Sequence, residues 1–68
     1  MADSIVVTLL NRDAVRRWLE RLGFDIDASQ GAAKFVARGN GQSLVFGPGT
    51  VLAWDRAARR LTKRPAAA

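Results

Sequence analysis

The chain has 68 residues, which fits one small domain. It contains no cysteine and no histidine, so disulfide bonds, the usual zinc sites and thiol nucleophiles are excluded, and we expect neither a cofactor, a bound metal nor enzymatic activity. Eleven Lys and Arg residues against six Asp and Glu residues give a net charge of +5. Apolar residues make up 49% of the chain, as in an ordinary globular domain.

The longest apolar run, Ile5 to Leu10, is far shorter than the roughly 18 residues that a membrane-spanning helix needs. No basic segment precedes it as in a signal peptide, so we expect a cytoplasmic protein without a membrane partner. The β-branched and aliphatic residues of this run predict a short strand or a segment that docks on the core. The run also suits an oligomer edge, so the sequence is compatible with a homodimer.

The next segment predicts an amphipathic helix. Asn11 and Asp13 open it as capping residues do, and Gly23 follows its last turn as the glycine that commonly ends a helix. Four apolar residues between them have the spacing of one helical face: Val15, Trp18, Leu19 and Leu22. We expect this face to pack in the core. We expect the same of Trp54, the second tryptophan of the chain.

Three short runs after this helix predict an antiparallel sheet: residues 25–28, 34–38 and 43–46. Gly39-Asn40-Gly41 separates the last two and supplies the left-handed conformations of a tight hairpin turn. Together these elements predict one α+β domain over residues 1–64, in which a small antiparallel three-stranded sheet packs against one or two helices and an N-terminal strand-like segment precedes them. Residues 65–68 are expected to form a frayed tail.

The positive charge is concentrated toward the C-terminus, where residues 50–68 carry five cations and one acid. Surplus cations attract an anionic partner, either nucleic acid or an acidic protein surface, although a solvated face that only keeps the domain soluble has the same composition. The candidate contact residues are Arg56, Arg59, Arg60, Lys63 and Arg64, together with Arg16 and Lys34.

The basic segment fits two structures. A helix over residues 50–63 begins with Thr50 at its N-cap, whereas a hairpin pairs residues 51–54 with residues 61–63. We favour the helix, because alanine and arginine are poor residues for a hairpin tip. The helix would bury Val51, Trp54, Ala58 and Leu61, and it would expose one broad basic face of Arg56, Arg59, Arg60 and Lys63.

Several short motifs accompany the order helix, three strands, helix over about residues 12–61. They are Arg21-Leu22-Gly23-Phe24, Gly31, Phe35-Val36, Gly39-Asn40-Gly41 and, at the entry to the closing helix, Gly47-Pro48-Gly49-Thr50. This arrangement resembles the HicA toxin family, small RNA-cleaving proteins with a double-stranded-RNA-binding-domain-like fold. In that family a Gly-Ser-His triplet supplies the catalytic histidine, whereas the matching positions here are Gly31-Ala32-Ala33. The resemblance therefore implies a fold that binds structured RNA or DNA without the group that would cleave RNA.

Two functions fit these observations. The first is a non-catalytic nucleic-acid-binding domain whose C-terminal cations contact the phosphates of duplex RNA or DNA. The second is a small protein-binding adaptor or inhibitor, of the kind found in phages and mobile elements, which docks on an acidic patch or adds its N-terminal strand to a partner sheet. We favour the first, and a steep loss of affinity with rising salt distinguishes it from the second.

Overall fold

The computed structural model describes residues 3–27 and 34–66. Six strands among these residues form two antiparallel three-stranded sheets, and one helix accompanies them, which confirms the predicted α+β class. In chain order the elements are β1 (Ser4–Val7), α1 (Arg12–Arg21), β2 (Asp25–Asp27), β3 (Phe35–Gly39), β4 (Gln42–Phe46), β5 (Thr50–Asp55) and β6 (Arg60–Pro65). Sheet A has the strand order β1-β5-β6, and sheet B has the order β2-β3-β4.

One hydrophobic core joins both sheets to the helix. Trp18 and Trp54 pack against it as half-buried residues, and the Trp54 ring meets Phe24 edge to face with 5.8 Å between ring centroids. The predicted core role of both tryptophans is therefore confirmed. The buried members of this core are Val7, Val15, Leu19, Phe24, Phe35, Ala37, Phe46, Leu52 and Leu61.

The N-terminal strand is shorter than the apolar run that predicts it. β1 ends at Val7, and the side chain of Asn11 holds the following residues in a turn. Its Oδ1 accepts the Thr8 N–H at 2.7 Å, and its Nδ2 donates to the Val6 carbonyl. Asn11 therefore fixes the β1–α1 loop instead of capping the first turn of α1, and Leu10 is left fully exposed.

The predicted helix over residues 50–63 is wrong, because this segment forms the β5–β6 hairpin. Leu52 and Leu61 are both fully buried, and removing each from water stabilises the fold by about 1.5–3 kcal/mol. The tip, residues 56–59, is stabilised by Asp55, whose Oδ1 accepts the N–H groups of Ala57 at 3.0 Å and Ala58 at 3.1 Å. This carboxylate satisfies the backbone of the turn, so alanine and arginine are tolerated there.

The Gln42 side chain joins the two sheets. Its Nε2 donates to the Leu61 carbonyl at 2.9 Å, and its Oε1 accepts the Leu61 N–H at 2.7 Å. The amide of one side chain thus takes the place of a strand partner between β4 and β6. Because both backbone groups of Leu61 depend on it, Gln42 fixes how the basic hairpin sits on the core.

The ends of several elements differ by a few residues from the predicted ends. Strand β6 includes Pro65, and the Ala66 N–H donates to the Gly49 carbonyl at 2.8 Å, so the chain is paired into the segment predicted as a tail. Residues 67 and 68 lie outside the described residues, as do residues 28–33, which include Gly31-Ala32-Ala33. The described helix is too short to cross a membrane.

The β3–β4 hairpin and the end of α1 approach each other at Gly39. A Cβ atom added to Gly39 would lie 2.4 Å from the Gly23 carbonyl oxygen, which is backbone and has little room to move. We expect Gly39→Ala to lower the free energy of unfolding by about 3 kcal/mol, the upper end of what overpacking costs, in urea titrations followed by tryptophan fluorescence.

The matched control is Gly41→Asn in the same turn. Gly41 has φ of +76°, which asparagine tolerates, and no atom lies within 4 Å of its added Cβ. The left-handed backbone is the only expected cost, so this variant should lose about 1 kcal/mol, clearly less than Gly39→Ala. Equal stability of the Gly39→Ala variant and the parent would contradict the close approach.

Candidate functional site

The register of sheet A decides which side chains of the basic hairpin share a face. Side chains at directly opposite positions of antiparallel strands lie on the same side of the sheet, and successive side chains alternate. The buried residues Val7, Leu52 and Leu61 mark the inner side, which faces the core. The opposite side, called here the outer face, carries Ser4, Val6, Val51, Ala53, Asp55, Arg60, Thr62 and Arg64.

Arg60 and Arg64 are the cations of this outer face. They are four residues apart on β6, or about 13 Å along an extended strand, and both are exposed. Asp55 lies opposite Arg60, but its carboxylate accepts backbone N–H groups of the hairpin tip. Neither arginine contacts a carboxylate of the described residues, so both charges are available to an external anion.

The other three cations of the hairpin are used within the fold. Arg56 Nε donates to Asp3 Oδ2 at 2.8 Å, and this hydrogen bond, followed by the negative charge of Asp3, raises the pKa of Arg56 above its ordinary value. Arg59 Nη2 donates to Asn40 Oδ1 at 3.3 Å, and Lys63 Nζ donates to the Val45 carbonyl. The predicted broad face of Arg56, Arg59, Arg60 and Lys63 is therefore wrong.

Two predicted site residues lie apart from this hairpin. Arg16 is exposed on α1, whose buried residues Val15 and Leu19 pack in the same core that the inner side of sheet A covers. The core thus separates Arg16 from the outer face. Lys34 is exposed directly before β3, a strand of sheet B, whereas the β5–β6 hairpin belongs to sheet A.

Two polar residues that shape the site were not singled out for it from the sequence. Asn40 donates to the Leu22 carbonyl at 3.0 Å and also accepts the Arg59 hydrogen bond, so it links the end of α1 to both hairpin tips. Thr50, expected to cap a helix, is instead the first residue of β5 and lies opposite Pro65. The alternation of Leu52 with Trp54 is the sequence signal that could have assigned Thr50 to a strand.

Comparisons of the chain with protein families, with curated proteins and with solved structures found no match. The resemblance to the HicA toxin family stays a prediction from the sequence. The closing helix that it implies after Gly47-Pro48-Gly49-Thr50 is replaced by strand β5. The argument for function therefore rests on the geometry of this chain.

Asp55 allows a test of the hairpin that presents the outer face. We expect Asp55→Ala to lower the free energy of unfolding by about 0.5–1.5 kcal/mol, because the exposed N–H groups of Ala57 and Ala58 lose their acceptor and bond to water instead. Denaturant titration gives the value.

The matched variant is Asp55→Asn, which keeps an oxygen acceptor and removes the charge. It should recover most of the lost stability if the hydrogen bonds at the tip are what matters. Equal destabilisation by both variants would instead show that the negative charge of Asp55 supports the hairpin.

Proposed function

We propose that the chain is a non-catalytic nucleic-acid-binding domain that contacts phosphates through the outer face of sheet A. Arginine contacts to phosphate give affinity and position with little sequence information, so we expect binding to duplexes of unrelated sequence. We place this activity in the cytoplasm. The sequence contains no histidine or cysteine, and the proposal involves binding without cleavage of the nucleic acid.

The observation that carries this proposal is the placement of Arg60 and Arg64. Both side chains project from one strand on one face, and neither contacts a carboxylate of the described residues. Their separation of about 13 Å along β6 is comparable to the width of a B-DNA major groove, about 12 Å. Two fixed cations at this spacing suit contacts with separate phosphates of a duplex.

The surface between the arginines favours close approach. Thr62 lies between the two arginines on β6, Ala53 lies opposite it on β5, and neither side chain is bulky. The major groove of a duplex admits a two-stranded β-ribbon, but β5 also pairs with β1, so the outer face is three strands wide. We therefore expect its cations to contact the phosphates beside a groove.

A second candidate is a protein-binding adaptor or inhibitor, and the β1–α1 corner favours it. Leu9 is 63% exposed and Leu10 is fully exposed, side by side in the loop that Asn11 holds in place. Exposed apolar side chains in a group mark protein contacts more often than nucleic-acid contacts. Under this candidate, Leu9→Ser with Leu10→Ser should abolish capture of a protein partner and leave duplex binding unchanged.

The test of the first candidate is the double variant Arg60→Gln with Arg64→Gln. We expect it to weaken binding to labelled duplexes almost equally for unrelated sequences and to reduce the slope of log K against log salt by about 1.8, because each lost phosphate contact removes about 0.9. Fluorescence anisotropy at several salt concentrations measures both quantities. Glutamine is polar and keeps the carbons nearest the backbone, and both positions are exposed, so the fold should be spared.

The matched control is Arg16→Gln with Arg17→Gln on the exposed side of α1, which removes the same charge across the core from the outer face. It should change the slope by much less. Equal effects of the two double variants would show that net charge, and not the outer face, determines binding.

A further inference from the structure

Strand β1 is one of the two edge strands of sheet A, because the strand order is β1-β5-β6. The Asp3 carbonyl, directly before β1, accepts the Trp54 N–H of β5 at 2.7 Å. The backbone groups of successive residues in a strand point in opposite directions, so those of Ser4 and Val6 point away from β5. Among the described residues, the Ser4 N–H, the Ser4 carbonyl and the Val6 N–H have no partner on that free edge.

The side chain of Asn11 covers the other end of this free edge. Its Nδ2 donates to the Val6 carbonyl, and its Oδ1 accepts the Thr8 N–H at 2.7 Å and the Thr8 hydroxyl at 2.9 Å. The amide therefore occupies backbone groups that a further strand would need. Gln42 does the same on the other edge strand, β6, where it bonds both backbone groups of Leu61. Each edge strand of sheet A thus bonds a side-chain amide in place of a neighbouring strand.

A second copy of β1 is the strand that fits this edge. The sequence of β1 has no charged residue and no proline, the residues with which edge strands commonly avoid pairing. In an antiparallel pair of two copies, Ser4 of one copy lies opposite Val6 of the other, and the N–H of each residue meets the carbonyl of its partner. Val6 is 46% exposed, so the pairing also buries apolar surface. It needs the Val6 carbonyl, which is the group that Asn11 occupies.

We infer that Asn11 restrains the chain from pairing through β1 with a second copy. Each copy has to give up the hydrogen bond from Asn11 Nδ2 to the Val6 carbonyl before the pair can form. One such bond corresponds to about a fivefold change in an equilibrium constant, so the two bonds weaken dimerisation about 25-fold. The inference does not depend on the proposed function, because it concerns the backbone edge of sheet A and not the arginines of its outer face.

The experiment compares the dimerisation of the parent and of Asn11→Asp by sedimentation equilibrium, at about 0.15 M ionic strength to screen the added charge. Aspartate keeps the oxygen that accepts from Thr8 and removes the donor to the Val6 carbonyl, so the turn should persist while the edge is opened. We expect the variant to dimerise about 25-fold more tightly than the parent. Asn11→Ala, which adds no charge, should change dimerisation in the same direction.

Two further variants show whether the gain arises at β1. Asn40→Asp makes the same change of charge at the tip of the β3–β4 hairpin, and it should dimerise as weakly as the parent. Val6→Pro, added to Asn11→Asp, removes the outward N–H that a second copy needs and no hydrogen bond within sheet A, so it should reverse the gain. Dimerisation of Asn11→Asp no tighter than that of the parent, or a gain that survives Val6→Pro, overturns the inference.

Hydrogen exchange of the unaltered protein gives a readout that does not depend on the folding of any variant. The amides of Ser4 and Val6 should exchange rapidly, whereas those of Ile5 and Thr8 should be protected, because Ile5 pairs with β5 and Thr8 bonds to Asn11. Protection of the Val6 amide, or exchange of the Thr8 amide as fast as that of Val6, would show that Asn11 does not restrain this edge.

Discussion

The β5–β6 hairpin depends on pairing with a strand from the other end of the chain. The Trp54 N–H donates to the Asp3 carbonyl at 2.7 Å, and β1 continues this ladder from Ser4 to Val7. Without β5, β1 would have unpaired backbone groups on both edges, and without β1, the hairpin would be a two-stranded ribbon of marginal stability. Sheet A therefore forms as a unit, and its formation turns Arg60 and Arg64 away from the core.

The local features of the fold could be predicted from the sequence. The amphipathic helix follows from the spacing of Val15 and Leu19, and the β3–β4 hairpin follows from Asn40 and Gly41, which both adopt positive φ. These elements depend on residues close to one another in sequence. Their side-chain pattern and turn chemistry agree, so one segment contains the information that specifies it.

The C-terminal segment could not be predicted in this way. Its alanines and arginines are good helix formers, and the spacing of Val51, Trp54 and Leu61 is compatible with one helical face. The hairpin forms instead of the helix because it is stabilised by contacts distant in sequence, mainly the pairing of β5 with β1 and the hydrogen bonds between Gln42 and Leu61. Helix propensity amounts to tenths of a kcal/mol per residue, whereas an unsatisfied buried backbone group costs about 1–3 kcal/mol.

Because residues 50–63 form a hairpin and not the predicted helix, the candidate site contains a different group of side chains. A helix groups residues three and four apart, whereas a strand groups alternate residues, so the composition of the basic segment was informative but its grouping was not. The structure retains Arg60 and Arg64 on one face and assigns Arg59 and Lys63 to contacts within the fold. Phosphate contact is the use that we propose for these two arginines, which contact no carboxylate of the described residues.

The most direct test of phosphate contact by the outer face is the salt dependence of duplex binding by the unaltered protein. It is measured for two duplexes of unrelated sequence. If Arg60 and Arg64 each neutralise one phosphate, log K should fall with log salt at a slope of about −1.8, and the two duplexes should have similar affinities. Absence of binding at low salt, or an affinity that does not change with salt, would contradict the account.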